Sequence, residues 1–464
     1  MLNLAVMLED SARTVPDRDA LVFGDTRVTY AQVDAMAARV ANLLVSRGIR
    51  PGDKVALSCP NLPYFPMVYY GILKAGGVVV PLNVLLKARE ISYHLRDSDV
   101  QAYFCFAGTQ ELPMGEEGWR AFNSVDSCTD FVVITADPGA ASPIAGAQTF
   151  AEAVADQPLT FETRTTEATD TAVILYTSGT TGQPKGAELS HANMVLNAMT
   201  GSRRHGIPET GYDIHLVTLP LFHSFGQTVQ LNAGFYEHAT LVLMARFDGK
   251  AALQLMLREN VTFFAGVPTM YWGLLGALDD SIDVQRLAAT LRSAVAGGSS
   301  LPVEIIREFK ERFQVDIKEG YGLSETSPVA TFNPDEADPV PGSVGLPIWG
   351  VELKLIDPEW NDVTEVDEVG EIAIRGYNIM KGYYNRPAET DAVMRDGWFR
   401  SGDLGRRDKN GYYYVVDRAK DMILRGGFNV YPREIEEVLM THPAGSLAAV
   451  VGVPHESHGE EVKA

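Results

Sequence analysis

The spacing of apolar positions predicts that helices and strands alternate through the first half of the chain. A helix is predicted between Thr29, a residue type that caps helices, and Gly48, which can end one. Its apolar positions at helical spacing are Val33, Met36, Val40, Leu43 and Leu44. The strands and helices that follow are predicted at 54–58, 67–75, 78–80, 88–96 and 102–106. This alternation predicts parallel sheets covered by helices.

The second half repeats the alternation and then changes to short strands with turns. Strands are predicted at 216–219, 240–244, 262–266 and 293–296, and a helix at 302–313. From Gly342 onward, short strands at 352–356, 371–375 and 412–416 predict a small β-barrel-like subdomain. A helix at 432–440 and an apolar strand at 448–453 follow. The predicted class is α/β, with two βα-layered subdomains whose sheets are rich in parallel strands.

Composition and charge narrow the possible partners. The 464 residues are 46% hydrophobic and 21% charged, which is typical of a globular protein with substantial cores. The formal net charge of -21 disfavours nucleic acid and anionic membrane surfaces, so a bound anion must be held by local donors. Acidic residues cluster after Asp335 and at 359–371, where a solvated face is predicted.

Cysteine use and hydropathy predict a cytoplasmic protein. Cys59, Cys105 and Cys128 have no metal-ligand spacing, so they are interpreted as reduced thiols. Glu9 and Asp10 lie near the N-terminus, and no apolar run reaches the roughly 18 residues of a membrane span. We therefore expect neither a signal peptide nor a membrane span.

Residues 177–186, TSGTTGQPKG, follow an apolar run and precede a helix-like segment that opens near Ser190. Glycine backbone and Ser/Thr hydroxyls supply donors that approach phosphate oxygens closely, and Lys185 adds a mobile positive charge. A Walker loop fits poorly, because there Ser or Thr follows the lysine and leads into a helix. Here Pro184 precedes the lysine and Gly186 follows it. The segment is interpreted as a phosphate-binding loop of another kind.

Six motifs in order resemble the adenylate-forming superfamily of acyl-CoA synthetases, luciferases and peptide-synthetase adenylation domains. They are TSGTTGQPKG at 177, PLFHSFG at 220, AGGSSLP at 296, EGYGLSET at 319, SGD at 401 and DRAKDMILRGGFNVYPREIE at 417. The resemblance covers essentially the whole chain and is greatest to medium- and long-chain fatty acyl-CoA synthetases. It implies that a carboxylate reacts with ATP to give acyl-AMP and pyrophosphate, and that coenzyme A then forms the thioester.

The resemblance also implies a nucleotide site spread over these motifs. The loop would hold the β- and γ-phosphates, Tyr321 would stack on adenine, and Asp403 would accept from both ribose hydroxyls. Arg418 would reach ribose or phosphate, and Lys420 would mark the hinge. The full implied set is Thr177, Ser178, Gly179, Thr180, Thr181, Gly182, Lys185, Gly298, Ser299, Gly320, Tyr321, Gly322, Ser324, Asp403, Arg418 and Lys420.

Three residues are implied to be catalytic: His223, Lys185 and Glu325. Glu325 would bind Mg²⁺ with the Thr177 hydroxyl nearby, because Mg²⁺ usually takes one or two protein oxygens and shares phosphates and waters. His223 would lie at the mouth of the acyl pocket, next to the reacting carboxylate. Lys185 would help to neutralise phosphate charge. ATP, Mg²⁺ and coenzyme A are the implied cofactors and co-substrates.

Apolar residues around His223 are candidates for the acyl pocket. They are Phe225, Val267, Pro268, Met270, Tyr271, Val329 and Ala330. No acidic residue lies between Pro220 and Tyr236, where amino-acid-activating relatives usually place an aspartate that pairs the substrate ammonium. A fatty acid fits these apolar surroundings, but a cinnamate- or benzoate-like aryl acid would use the same scaffold, so both stay open.

The resemblance implies an adenylate-forming domain at residues 1–416 and an incomplete α+β lid at residues 417–464. Family members carry a lysine in a Pro-x-x-Gly-Lys type segment beyond the strand predicted at 448–453, whereas this sequence stops at Ala464. That lysine contacts the carboxylate and the α-phosphate during adenylation. We therefore expect the 464-residue polypeptide to bind ATP and acid but to adenylate poorly.

Two other classes share these features. A luciferase-like oxygenase would be distinguished by oxygen consumption with light emission. A non-catalytic nucleotide-binding protein would be distinguished by calorimetry with ATP and Mg²⁺, repeated on Glu325→Ala. The sequence also leaves open whether the protein forms a homodimer.

Overall fold

A computed structural model describes residues 1–177, 183–204, 211–334, 337–425, 428–440, 448–455 and 459–464. Within these ranges, helices alternate with the strands of two large parallel-rich sheets, and two smaller antiparallel sheets follow. The predicted α/β class is confirmed.

The first sheet has eight strands. Val78–Pro81, Lys54–Ser58, Val100–Phe106 and Asp130–Ile134 pair in parallel, as alternating apolar runs and helices predict. One end of this sheet is antiparallel, because Thr171–Thr177 turns back into Lys185–Ser190. In sheet order the strands are Gly382–Tyr383, Lys185–Ser190, Thr171–Thr177, Val78–Pro81, Lys54–Ser58, Val100–Phe106, Asp130–Ile134 and Gln148–Thr149.

The second sheet has nine strands, and its six central strands are parallel. The strand Ile317–Gly322 then pairs in antiparallel fashion with Val329–Phe332. The motif EGYGLSET occupies the end of the strand Ile317–Gly322 and the turn that follows it. In sheet order the strands are Leu346–Pro347, Val329–Phe332, Ile317–Gly322, Ser293–Ala296, Phe263–Gly266, Ile214–Val217, Thr240–Leu243, Asp19–Phe23 and Thr26–Thr29.

The two smaller sheets are antiparallel. The third is the predicted β subdomain, with strands Asp362–Val363, Val351–Ile356, Gly370–Gly376, Trp398–Arg407 and Met394–Arg395, and with Tyr413–Arg418 paired to Trp398–Arg407. The fourth contains Phe428–Val430, Ile423–Arg425, Gly459–Lys463 and Val451–His455. The strand Tyr413–Arg418 runs through the predicted domain border, and the division at 416 stays a prediction.

The helices cover the sheets. Thr29 caps the helix Tyr30–Ser46 in a reciprocal arrangement with Gln32, and Gly48 follows its end with φ of +87°, as predicted. The other α-helices are Val6–Thr14, Tyr64–Lys74, Ala88–Asp97, Met114–Phe122, Phe150–Val154, His191–Arg204, Ala233–Tyr236, Gly249–Glu259, Pro268–Gly276, Val284–Thr290, Val303–Phe313, Pro387–Val393 and Pro432–Met440. Gly226–Asn232 is a π-helix and Ser324–Thr326 a 3₁₀ turn.

Three hydrophobic clusters form the interior, one in each of the two large layers and one between the second and third sheets. Cys59, Cys105 and Cys128 are buried and free, as predicted, and burial raises the pKa of each thiol, to about 12 for Cys105 and Cys128. Among the described residues, no helix is both long and apolar enough to cross a membrane.

The helix predicted to open near Ser190 begins at His191, and the strand Lys185–Ser190 before it was not predicted. Two other predictions need correction. The last apolar strand is Val451–His455, so residues 448–450 precede it. Glu371 does not belong to a solvated acidic face, because it is buried in an ion pair with Arg400. Its carboxylate also accepts from the Gly402 N–H at 2.9 Å.

Candidate active site

A single cavity of about 1030 Å³ brings the motifs together. Its walls come from the antiparallel end of the first sheet, the motif edge of the second sheet and the adjoining strands of the third. Most of the predicted site residues line it: Thr177, Lys185, His223, Phe225, Gly298, Ser299, Gly320, Tyr321, Gly322, Ser324, Glu325, Val329, Asp403, Arg418 and Lys420. Ser178, Gly179, Thr180, Thr181 and Gly182 lie outside the described residues.

Glu325 is a buried carboxylate with two hydroxyl groups on one oxygen. The Tyr383 hydroxyl donates to its Oε1 at 2.9 Å, and the Thr177 hydroxyl donates to the same oxygen at 3.3 Å. Its backbone is held as well, because the Met380 N–H donates to the Glu325 carbonyl at 2.8 Å. A carboxylate beside a hydroxyl oxygen is a donor set that suits Mg²⁺, so the residues present fit the predicted metal.

Tyr383 connects Glu325 with Lys185. The Lys185 Nζ lies 4.4 Å from the centre of the Tyr383 ring, over its face, while the Tyr383 hydroxyl binds Glu325. Tyr383 occupies this place because Gly382–Tyr383 pairs with Lys185–Ser190 at the edge of the first sheet. Burial raises the pKa of the Tyr383 phenol, so it stays a hydrogen-bond donor at neutral pH. Sequence reasoning missed this residue, because nothing in its local segment reveals that the two strands pair.

The two strands that flank the predicted phosphate loop, Thr171–Thr177 and Lys185–Ser190, are held by contacts with the helix Ala88–Asp97. The Tyr93 hydroxyl donates to the Pro184 carbonyl at 2.7 Å. The Tyr176 hydroxyl donates to Asp97 Oδ2 at 2.9 Å, and Arg386 forms an ion pair with the same carboxylate. Both strand ends of the loop are therefore fixed by side chains from the helix Ala88–Asp97.

Asp403 and Tyr321 form the other polar pair. The Tyr321 hydroxyl donates to Asp403 Oδ2 at 2.7 Å, and Arg418 Nε lies 3.5 Å from Asp403 Oδ1. Burial raises the pKa of Asp403, while Tyr321 and Arg418 act in the opposite direction. The resemblance implied only that the Tyr321 ring stacks on adenine. The structure adds a hydrogen bond that orients the Asp403 carboxylate towards the cavity.

Two glycines of EGYGLSET are required by close backbone approach. A Cβ on Gly322 would lie 1.7 Å from the Pro328 carbonyl oxygen, and one on Gly320 would lie 2.7 Å from Phe332 Cδ2. Any side chain at Gly322 would displace the antiparallel strand Val329–Phe332. These glycines shape the turn that presents Tyr321 and Glu325.

His223 lines the cavity, and its side chain is exposed there. Desolvation lowers the pKa of its imidazole, so the ring is neutral at pH 7. The Phe225 N–H donates to His223 Nδ1 at 3.2 Å, which places the proton of the neutral ring on Nε2. His223 precedes the π-helix Gly226–Asn232, a helix type frequent at functional sites.

The predicted acyl-pocket residues separate into two groups. His223, Phe225 and Val329 line the cavity. Val267 lies just behind Gly298, with Cγ1 3.5 Å from where a Cβ on that glycine would be. Pro268, Met270 and Tyr271 belong to the helix Pro268–Gly276, and the buried Tyr271 hydroxyl donates to the Val295 carbonyl at 2.7 Å. None of Val267, Pro268, Met270, Tyr271 and Ala330 is among the described residues that line the cavity.

The comparison with protein families agrees with this geometry. The family described as AMP-binding enzyme matches residues 8–384. The chain belongs to this family, within its group of acyl- and aryl-CoA ligases. The predicted resemblance and the predicted enzyme class are confirmed at this level.

Individual relatives differ in the acid that their names specify. The chain is 34% identical to a long-chain-fatty-acid–CoA ligase of Bacillus subtilis, over 100% of this chain and 85% of the relative. A solved anthranilate CoA ligase in complex with anthranoyl-AMP superposes with a TM-score of 0.90 at 30% identity, covering 99% of this chain and 86% of that one. The ATP-bound structure of MatB from Rhodopseudomonas palustris superposes with a TM-score of 0.87 at 32% identity, and the match covers 99% of this chain and 88% of MatB.

Proposed function

We propose that this protein is an AMP-forming fatty acid–CoA ligase. The observation that carries the proposal is one continuous cavity that joins Glu325, Lys185 and Asp403 to the apolar side chains of Phe225, Val229 and Val329. An enzyme that reacts ATP with an apolar acid needs a polar surface for the nucleotide directly beside an apolar surface for the acid. The whole-length similarity to a fatty acid–CoA ligase supports the same acid class.

In the first step, a carboxylate oxygen attacks the α-phosphorus of ATP, the bond to the bridging oxygen breaks, and pyrophosphate leaves. Two anions meet in this step, so Lys185 and the loop donors must neutralise phosphate charge. Glu325 and Thr177 would hold Mg²⁺, which supplies further neutralisation when bound. The thiolate of coenzyme A then attacks the acyl carbonyl and AMP leaves.

The remaining residues would bind the parts of the nucleotide that stay. Asp403, oriented by Tyr321, would accept from the ribose hydroxyls, and Arg418 would contact ribose or phosphate. Gly298, Ser299, Gly320, Gly322 and Ser324 would line the adenine slot. Neutral His223 would lie beside the carboxylate, and exposed Lys420 would mark a hinge between residues 1–416 and the C-terminal lid.

An aryl acid is the second candidate, favoured by the anthranilate CoA ligase neighbour. The test is pyrophosphate release from ATP and Mg²⁺ with a panel of acids, from butyrate to palmitate and including benzoate and ferulate. We expect the largest kcat/KM with a medium or long fatty acid, and a thioester only when coenzyme A is added. Preference for benzoate or ferulate would overturn the fatty-acid assignment. No release with any acid, together with no calorimetric binding of ATP, would overturn the ligase assignment.

Cytoplasmic location and a homodimeric state stay predictions. The three free buried thiols support a reducing compartment. Size-exclusion chromatography with light scattering tests the assembly.

A further inference from the structure

The helix His191–Arg204 carries a row of residues four positions apart: Asn193, Asn197 and Gly201. Residues at this spacing share one face of a helix. The Asn193 Nδ2 donates to the Ile379 carbonyl at 3.1 Å. Asn197 binds both backbone groups of Val329: its Nδ2 donates to the carbonyl at 2.8 Å, and its Oδ1 accepts from the N–H at 3.1 Å. The face of this row is thus turned towards the strand that carries the cavity-lining Val329.

Gly201 lies one helical turn beyond Asn197 and lines the cavity. A Cβ on Gly201 would meet no described atom outside its own helix within 4 Å. This differs from Gly320 and Gly322, where a Cβ would collide with neighbouring atoms. The glycine at 201 therefore leaves space in the cavity and is not required by close backbone packing.

The space at Gly201 continues the apolar side of the cavity. The helix His191–Arg204 packs against both the π-helix Gly226–Asn232 and the strand Val329–Phe332. Those two elements contribute Val229 and Val329 to the cavity, and Phe225 precedes the π-helix. A chain whose carboxyl group lies near His223 would pass Phe225, Val229 and Val329 before it reaches Gly201.

We propose that Gly201 sets the length of the acid pocket and that the substrate is an acid with an unbranched alkyl chain whose far end lies against this glycine. The inference rests on the proposed ligase function, because that function places the carboxyl group at the polar end. A larger side chain at position 201 would occupy the space that the last methylene groups need.

The test measures binding of unreactive acyl-AMP mimics, in which adenosine is joined to the acyl group through a sulfamate. Calorimetry with butanoyl, octanoyl and hexadecanoyl mimics needs no turnover. We expect Gly201→Leu to weaken the longest mimic that the wild type binds well by about 10-fold or more, because several methylene groups lose their burial. The butanoyl mimic should change by less than about 2-fold, since a four-carbon chain ends before Gly201.

Gly276→Leu is the matched control. Gly276 is the last residue of its helix, and Gly201 lies in the last turn of its own. A Cβ on Gly276 would likewise meet nothing outside its helix within 4 Å, but Gly276 is not among the described residues that line the cavity. All three mimics should bind this variant as they bind the wild type. Leucine is a better helix former than glycine, so neither variant should fold poorly.

The outcomes separate the two proposals. If no mimic binds the wild type, the proposed ligase function fails. If the mimics bind and Gly201→Leu weakens all of them equally, or none of them, the proposed role of Gly201 fails while the ligase function stands. Tightest wild-type binding of a benzoyl mimic, unaffected by Gly201→Leu, would also contradict the alkyl-chain assignment.

Discussion

The two ends of the cavity are built in opposite ways. At the polar end the two buried carboxylates are held by hydroxyl groups, Glu325 by Tyr383 and Thr177 and Asp403 by Tyr321. At the apolar end, space rather than contact is the main feature, because a Cβ on Gly201 would meet no described atom outside its own helix within 4 Å. Charge placed for phosphate transfer tolerates little movement, whereas an alkyl chain needs only volume and apolar walls. We therefore expect substitutions at the polar end to reduce the rate and those at the apolar end to change selectivity.

The largest effect is expected from Glu325→Gln. The amide keeps the shape of the side chain but removes the negative charge at the proposed Mg²⁺-binding position, so acid-dependent pyrophosphate release should fall about 100-fold or more. Glu352→Gln is the control, because Glu352 is an exposed partner of Arg375 on the outside of the third sheet. If Glu325→Gln kept both the rate and the Mg²⁺ requirement of the wild type, Glu325 would not be a metal ligand.

Asp403→Asn should weaken nucleotide binding next most strongly. If Asp403 accepts from the ribose hydroxyls as proposed, the loss of this buried charged acceptor should lower the affinity for the acyl-AMP mimics about 10- to 100-fold, equally for every acyl length. Asp367→Asn serves as control, since Asp367 pairs with Arg406 on an exposed part of the same sheet. A loss that grew with acyl length would contradict the separation of the two ends.

Substitutions at Tyr383 test whether its contacts with Glu325 and Lys185 affect the rate and the Mg²⁺ dependence. Tyr383→Phe keeps the ring beneath Lys185 but removes the hydroxyl from Glu325, and it should raise the Mg²⁺ concentration needed for half-maximal rate about 5-fold. Tyr383→Leu removes both contacts and should have a larger effect on the rate. Tyr384→Phe is the matched control, because that hydroxyl binds Asp99 instead. An identical Mg²⁺ dependence in wild type and Tyr383→Phe would show that Tyr383 only packs.

The smallest expected effect concerns the protonation of His223 as a function of pH. Burial lowers the pKa of His223 below its usual 6.5, so the ring gains its proton only under more acidic conditions. NMR titration of the His223 ring signals from pH 8 downward should therefore give a midpoint below 6.5. Assignment by His223→Gln identifies the signals. A midpoint above 6.5 would mean that an anion, not burial, controls this histidine.

Much of the fold follows from local pattern. The capped helix Tyr30–Ser46 and the strand Lys54–Ser58 begin or end where the sequence predicted, because their signals lie within a few residues. The strand Lys185–Ser190 was missed, since its pairing with Thr171–Thr177 and Gly382–Tyr383 gives it an edge position that no local periodicity reveals. Tyr271 was assigned to the pocket from an apolar segment, but apolar residues of core and pocket are alike in sequence.

The sequence by itself determined the α/β class, the family and the polar residues that the cavity collects, because charged and glycine-rich motifs carry their chemistry in fixed local spacing. Only the tertiary structure decided that Tyr383 binds Glu325 across 58 positions, that Tyr321 orients Asp403 and that Gly201 opens the apolar end. Those relations depend on strand pairing and helix packing between distant segments. A glycine in a helix has no chemistry of its own to signal its role; what matters at position 201 is the space that surrounding elements leave around it.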